Sequence, residues 1–351
     1  MSKFWSKRVQ ELDPYTPGEQ PQDQQYIKLN TNENPYPPSP KAIKAMQAAS
    51  DENMRLYPDP ECHALKAAIA DYYAIPKEQV FVGNSSDEVL AHTFVALLKH
   101  SKPLLYPDIS YSFYPCYCKL FGINAQQIPL ADDFTICAKD YEIENGGIIF
   151  PNPNAPSGIA LSLDKIEQIL STNPDSAVVI DEAYIDFGGE TAVPLIAKYP
   201  NLLITQTFSK SRSLAGLRVG FALGQKELIE GLERVKNSFN AYPLDRAALE
   251  GAIASINDKE YFETSCQKII KTREETITAL EKMDFSVLPS RANFIFAKPN
   301  HANAEDLYLK LKQAGVLVRY FKSPRIDEYL RISIGTDQEM GEFLEKLSTL
   351  V

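Results

Sequence analysis

Seven short apolar runs, spaced by stretches of helical pattern, occupy the chain from residue 80 to residue 223. They are Val80-Phe81-Val82, Pro103 to Tyr106, Ala125 to Ile128, Ile148-Ile149-Phe150, Ala177 to Ile180, Leu202 to Thr205 and Val219 to Leu223. Helix-like segments fall at 39–50, 61–73, 86–99, 112–121 and 162–172. Interleaved strands and helices of this kind predict an α/β fold with a mostly parallel, seven-stranded sheet covered by helices on both faces. Such sheets bind ligands outside the carboxyl ends of their strands. The residues just past each run are therefore the ones to read for chemistry.

Beyond residue 225 the pattern is helical to about 283. It then turns into a smaller α/β portion with strand candidates at 285–288, 293–296, 316–318 and 330–334 and helices at 303–314 and 337–349. Residues 1–40 are rich in Pro, Gln and Asn and read as an extended arm, with Ile27 and Leu29 able to anchor it. The expected division is an arm over 1–40 packed with the small domain, a large domain over 41–240 and a small domain over 241–351. At 351 residues the chain is long enough for that division.

The net charge of −10 argues against general affinity for nucleic acid or anionic lipid. No segment approaches the roughly 20 uninterrupted apolar residues of a membrane helix. The opening Met1-Ser2-Lys3-Phe4-Trp5-Ser6-Lys7 lacks the apolar centre of a secretory signal. Five cysteines without framework spacing read as reduced thiols in a cytoplasm, and no metal-ligand spacing is present. The four histidines lie outside every motif and read as structural or surface residues.

Past the first run, Gly83-Asn84-Ser85-Ser86-Asp87-Glu88 delivers small residues to a helix N-terminus, where main-chain N–H groups cradle anions. The same residues also fit a capping box. Past the second, Tyr106 to Tyr114 offers aromatics that either stack on a flat ring or simply pack. Past the fourth, Pro151-Asn152-Pro153-Asn154-Ala155-Pro156-Ser157-Gly158 is a proline-pinned loop. Past the fifth comes Asp181-Glu182-Ala183-Tyr184. An acid ending an apolar run is costly to bury without a cation, and a protonated pyridine nitrogen is one candidate partner. Past the sixth, Thr207-Phe208-Ser209-Lys210 leads to Arg218. A lysine at a strand end beside hydroxyls and an arginine suits covalent carbonyl chemistry and anion binding.

In this order, the pieces resemble the fold-type I pyridoxal-phosphate aminotransferases. Within them, Leu12 to Gly18, Leu29 to Pro35, Arg55-Leu56-Tyr57-Pro58-Asp59, Gly83 to Glu88 and Leu330 to Gly335 resemble the histidinol-phosphate aminotransferase family. The resemblance spans essentially the whole chain. It implies a cofactor, pyridoxal 5'-phosphate, held covalently by Lys210, which also moves the proton. Asp181 would face the ring nitrogen, Tyr184 the ring oxygen, and Tyr111 the ring itself. Ser86, Asp87, Thr207, Ser209 and Arg218 would hold the phosphate, joined by Tyr57 from a second subunit of a homodimer. Arg331 would bind the substrate anion with Arg319, Tyr15 and Asn34. Where relatives carry Asn-Asn-Pro-Thr-Gly this chain has Ala155, so Asn154 is the expected substitute. The implied reaction exchanges an amino group between histidinol phosphate and 2-oxoglutarate, giving imidazole-acetol phosphate and glutamate. An aromatic or broad transaminase, or a threonine-phosphate decarboxylase, would share the cofactor residues. A regulatory nucleotide-binding α/β protein would share only the fold.

Overall fold

A computed structural model of the chain describes residues 2–351. A short strand, β1 (Ile27–Lys28), lies in the N-terminal arm. The seven apolar runs become β2 (Val80–Asn84), β3 (Leu104–Pro107), β4 (Ala125–Ile128), β5 (Gly147–Pro151), β6 (Val178–Asp181), β7 (Leu202–Thr207) and β8 (Val219–Gly224), one sheet in the order β2-β8-β7-β6-β5-β3-β4. β3, β4, β5, β6 and β7 run parallel to their neighbours within the group, while β8 is antiparallel to both β2 and β7. That single reversal has a consequence for the site. β8 begins at the edge where the other six strands end, so Arg218, one residue before β8, joins the residues that follow those strands.

Successive side chains of each strand face opposite ways. Val178, Ile180, Leu202, Ile204 and Phe221 fall in one buried layer with helices His63–Tyr73, Leu163–Thr172 and Arg246–Asn257. Val179, Leu203 and Ala222 fall in the other, with helices Ser85–Ala96, Tyr114–Phe121 and Lys226–Phe239. Both faces are thus covered, which is why the runs show no polar alternation.

The long helix Lys259–Lys282 leads to a second sheet. Its strands are β9 (Phe285–Val287) and β10 (Phe294–Pro299), then, after β11 (Val316–Leu317), β12 (Arg319–Tyr320) and β13 (Leu330–Ser333). The order is β12-β13-β10-β9, antiparallel throughout. The stretch expected as a single strand at 316–318 is split: Val316–Leu317 pairs in parallel with β1 of the arm, and Arg319–Tyr320 turns to pair with β13. The arm contacts this region through β1 and Leu29. Leu29 is buried in the core of this second region, its N–H donating to Leu317 O at 2.8 Å and its carbonyl accepting from Ser333 N at 2.9 Å. It is not wholly extended, because Lys7–Gln10 forms one helical turn capped by Ser6. Among the described residues no helix is long and apolar enough to cross a membrane.

Candidate active site

A cavity of about 250 Å³ opens where the large sheet's strand ends face the arm and the second sheet. One end of it is a helix N-terminus, whose main-chain N–H groups are suited to meet an anion. Helix Ser85–Ala96 starts directly from β2, with Ser85 in the left-handed region at φ 67°. The helix sits so close to β8 that a Cβ at Gly220 would overlap the main chain of Ser85 and Ser86. The cap falls one residue earlier than the box expected at Ser85, on Asn84, and Ser85 Oγ accepts from the Asp87 N–H at 3.0 Å. Glu88 accepts the Asn84 N–H at 2.6 Å in the manner of a cap, while Ser86 and Asp87 line the cavity. Thr207, Ser209 and Arg218 line it too, and the Ser209 N–H donates to Thr207 Oγ1 at 3.1 Å. Arg218 Nη2 donates to Asp87 Oδ2 at 2.7 Å, and the Tyr111 hydroxyl donates to Asp87 Oδ1 at 3.2 Å.

Asp181 ends β6 with 4% of its surface exposed. The Tyr114 hydroxyl donates to it at 3.2 Å and the Thr205 hydroxyl at 3.4 Å. Burial pushes its carboxyl up to about 6, a rise that hydrogen bonds from Tyr114, the Ala183 N–H and Thr205 only partly offset. No cation of the described chain pairs with it. Glu182, one residue on, faces the opposite side of the sheet, as strand alternation requires. There it accepts from Thr191 Oγ1, Ala192 N and Gln206 Nε2 at 2.6, 2.7 and 2.9 Å, and burial pushes it up to about 7.

Lys210 follows β7 into the cavity, its Nζ 3.4 Å from Thr31 O and 5.7 Å from the centre of the Tyr184 ring. Tyr184 lines the cavity and its hydroxyl accepts from Asn32 Nδ2 at 3.1 Å. At the far end, Tyr15, Arg319 and Arg331 line the same space. Arg331 Nη2 donates to Asn30 O at 3.0 Å, while its buried Nε has no partner. Burial and the neighbouring Arg319 charge pull its guanidinium below the ordinary value.

Three named residues do not line this cavity, and one of them, Tyr57, is expected at a second subunit's. Asn34 turns its amide onto the main-chain carbonyls of Lys210 and Ser211, at 3.0 and 3.2 Å, and so steadies the lysine's backbone from behind. Asn154 is buried, donating to Ile109 O at 3.0 Å and Ser157 Oγ at 3.3 Å, and it is Ala155 that lines the cavity. Tyr57 is 78% exposed and stacks on Tyr242 with centroids 4.6 Å apart, away from its own chain's cavity. Tyr114, Thr205, Asn32 and Phe321 are additions. Tyr114 lay within an aromatic run that signalled packing as readily as function, and Phe321 carried no sequence signal.

A lysine amine, a buried acid without a protein cation, and an anion cradle, set together on a sheet of this topology, define a fold-type I pyridoxal-phosphate enzyme. These groups fit the cofactor's aldehyde, ring nitrogen and phosphate respectively. The family model described as "Aminotransferase class I and II" matches residues 24–347, and the chain belongs to that family. It is 59% identical over 351 residues to histidinol-phosphate aminotransferase 1 of Hydrogenovibrio crunogenus, covering 100% of this chain and 99% of the relative. It is 60% identical over 350 residues to histidinol-phosphate aminotransferase of Pseudomonas syringae pv. syringae, covering 100% of both. Among solved structures, a putative histidinol-phosphate aminotransferase from Erwinia carotovora atroseptica superimposes with a TM-score of 0.85 at 26% identity, covering 93% of this chain and 96% of that one. The Sinorhizobium meliloti histidinol-phosphate aminotransferase, solved with pyridoxal-5'-phosphate, has the same fold at a TM-score of 0.88 and 21% identity, over 100% of this chain and 99% of that one.

Proposed function

We propose that this chain transfers the amino group of histidinol phosphate to 2-oxoglutarate, the step expected in histidine biosynthesis. The observation that carries the reading is a cavity with Lys210 and Asp181 at one end and Arg319 and Arg331 at the other. When bound, pyridoxal phosphate supplies an electron sink conjugated to the donor carbon.

The chain's own residues do the rest. Lys210 Nζ takes the proton from the donor carbon and returns one on the other side of the exchange. Asp181, ionised once a cationic ring nitrogen lies beside it, keeps that nitrogen protonated. Tyr184, aimed by Asn32, would donate to the ring oxygen, and Tyr111 would stack on the ring. Ser86, Asp87, Thr207, Ser209 and Arg218 hold the phosphate through main-chain and side-chain donors. Arg331 and Arg319 take the substrate's anion, a phosphate in one half of the reaction and a carboxylate in the other, because a guanidinium pairs with both.

The working unit in this reading is a homodimer in which Tyr57 reaches the partner's cofactor phosphate. Its segment is held ready: Arg246 Nη2 donates to Tyr57 O at 2.9 Å and Lys236 Nζ to Pro60 O at 2.9 Å. The free cysteines suit a reducing cytoplasm.

The test is a direct comparison of amino donors on the purified, cofactor-loaded protein, following glutamate formation from 2-oxoglutarate. Histidinol phosphate should exceed aromatic amino acids in kcat/KM by at least about 100-fold, the contribution of one or two charge-assisted contacts. Equal use of phenylalanine would replace this reading with that of a broad transaminase.

A further inference from the structure

The two arginines at the substrate end are placed against each other. Arg319 of β12 and Arg331 of β13 are direct cross-strand partners in an antiparallel pair. Like charges in that relation repel. Among the described residues neither forms a salt bridge with a carboxylate, and Glu19, bonded to Tyr308 and Lys312, acts on Arg319 only through space. Arg319 reaches the carbonyls of Thr16 and Pro17 at 3.5 Å and Arg331 that of Asn30 at 3.0 Å. What the two share is an aromatic ring. The centre of Phe321 lies 5.4 Å from Arg319 Cζ and 5.5 Å from Arg331 Cζ, and Phe321 itself lines the cavity.

We propose that Phe321 is a positioning and specificity-determining residue, its ring holding two opposed guanidinium groups together as one receptor for a doubly charged phosphate. The inference rests on the transaminase reading above and deepens it. An aromatic face is electron-rich and attracts both cations at once, so the ring offsets part of their mutual repulsion and keeps both forks turned toward the cavity. The buried, partnerless Nε of Arg331 is the donor left over for the ligand. A dianion gains from both full charges together, whereas a carboxylate, with one charge, gains less from their being held close. Phe321 touches no reacting atom in this scheme and acts through the arginines.

The decisive variants are Phe321→Leu, which keeps apolar bulk and removes the ring, and Phe321→Tyr, which keeps the ring. Two probes are read on the cofactor-loaded enzyme: KM and kcat for histidinol phosphate, and the inhibition constant of inorganic phosphate against glutamate. Phe321→Leu should raise both the KM and the phosphate inhibition constant about five- to thirty-fold, the combined scale of two cation–π contacts. Its KM for glutamate should rise less, and the loss should fall on KM rather than on kcat. Phe321→Tyr should stay within about threefold of the parent in each. Phe321→Met gives the same comparison if Leu lowers Tm. An unchanged phosphate inhibition constant in the ring-less variants overturns the proposal, as does an equal loss in Leu and Tyr, which would mean packing alone. If the parent enzyme fails to use histidinol phosphate, the substrate reading falls, and the phosphate inhibition constant still decides the role of Phe321.

Discussion

At the cofactor end of the cavity, Ser86, Tyr111, Asp181, Thr207, Ser209 and Lys210 lie at or past the carboxyl ends of strands of one sheet, and Arg218 lies just before the reversed strand β8. At the substrate end, Tyr15 comes from the arm while Arg319, Phe321 and Arg331 come from the second sheet, more than 300 positions along the chain from Tyr15. The first set is fixed by a core buried on both faces and moves only if the sheet does. The second depends on how the arm lies against the second region, through contacts such as β1 with β11, Asn32 with Ser333 and Arg331 Nη2 with Asn30 O. On the proposed reading, chemistry falls to one sheet and substrate choice to the contact between two segments distant in sequence.

That contrast can be broken most directly at Lys210. Lys210→Ala should cut transamination by about 10³-fold or more while Tm changes little, because the residue moves protons and carries no core packing. Retention of activity without added amines would detach the chemistry from the sheet. Asp181→Asn should lower kcat by about 10²- to 10³-fold, as removal of one preorganised electrostatic group does. It should also have an opposite effect on stability. Because the folded cofactor-free protein holds the Asp181 proton up to about pH 6, above the ordinary carboxylate range, this carboxyl's stabilisation is present at acid pH and fades as pH rises from about 4 through 6. The cofactor-free Asn variant should therefore match the parent near pH 4 and exceed it at pH 8, by about 1–3 kcal/mol in chemical denaturation. A variant less stable at pH 8 would mean that Asp181 is paired within the protein.

At the substrate end, Arg331→Met should raise KM for histidinol phosphate about 10- to 100-fold with a smaller change in kcat. Equal losses in both would place Arg331 among the chemical groups instead. Tyr57→Phe should weaken cofactor retention about 2- to 10-fold, measured by absorbance after dialysis, the scale of one hydrogen bond. Mixed with Lys210→Ala, it should recover part of the lost activity, since one site of such a hybrid is intact. The smallest effect is expected at Glu19, whose carboxylate accepts from Tyr308 Oη at 2.5 Å and pairs with Lys312 on the arm's outer side. Glu19→Gln should change KM by no more than about threefold, in keeping with a half-exposed ion pair.

What could be read from the chain follows the same division. The seven strands, and nearly every residue at the cofactor end, announce themselves locally, because an apolar run followed by small or charged residues is a nearest-neighbour signal. Arg218 needed the antiparallel course of β8 before its position made sense. Asn34 and Asn154 illustrate the limit: a polar side chain beside a cavity can as well satisfy main-chain carbonyls, and only the fold decides which. The opposition of Arg319 and Arg331 depends on strand register between segments with no sequence continuity, and Phe321 acquires meaning only from that register.

The amide of Asn34, bonded to the carbonyls of Lys210 and Ser211, ties the arm to the main chain behind the lysine. Any change in how the arm is seated would therefore be felt at the peptide that carries the Lys210 amine, although the two lie 176 positions apart in the chain.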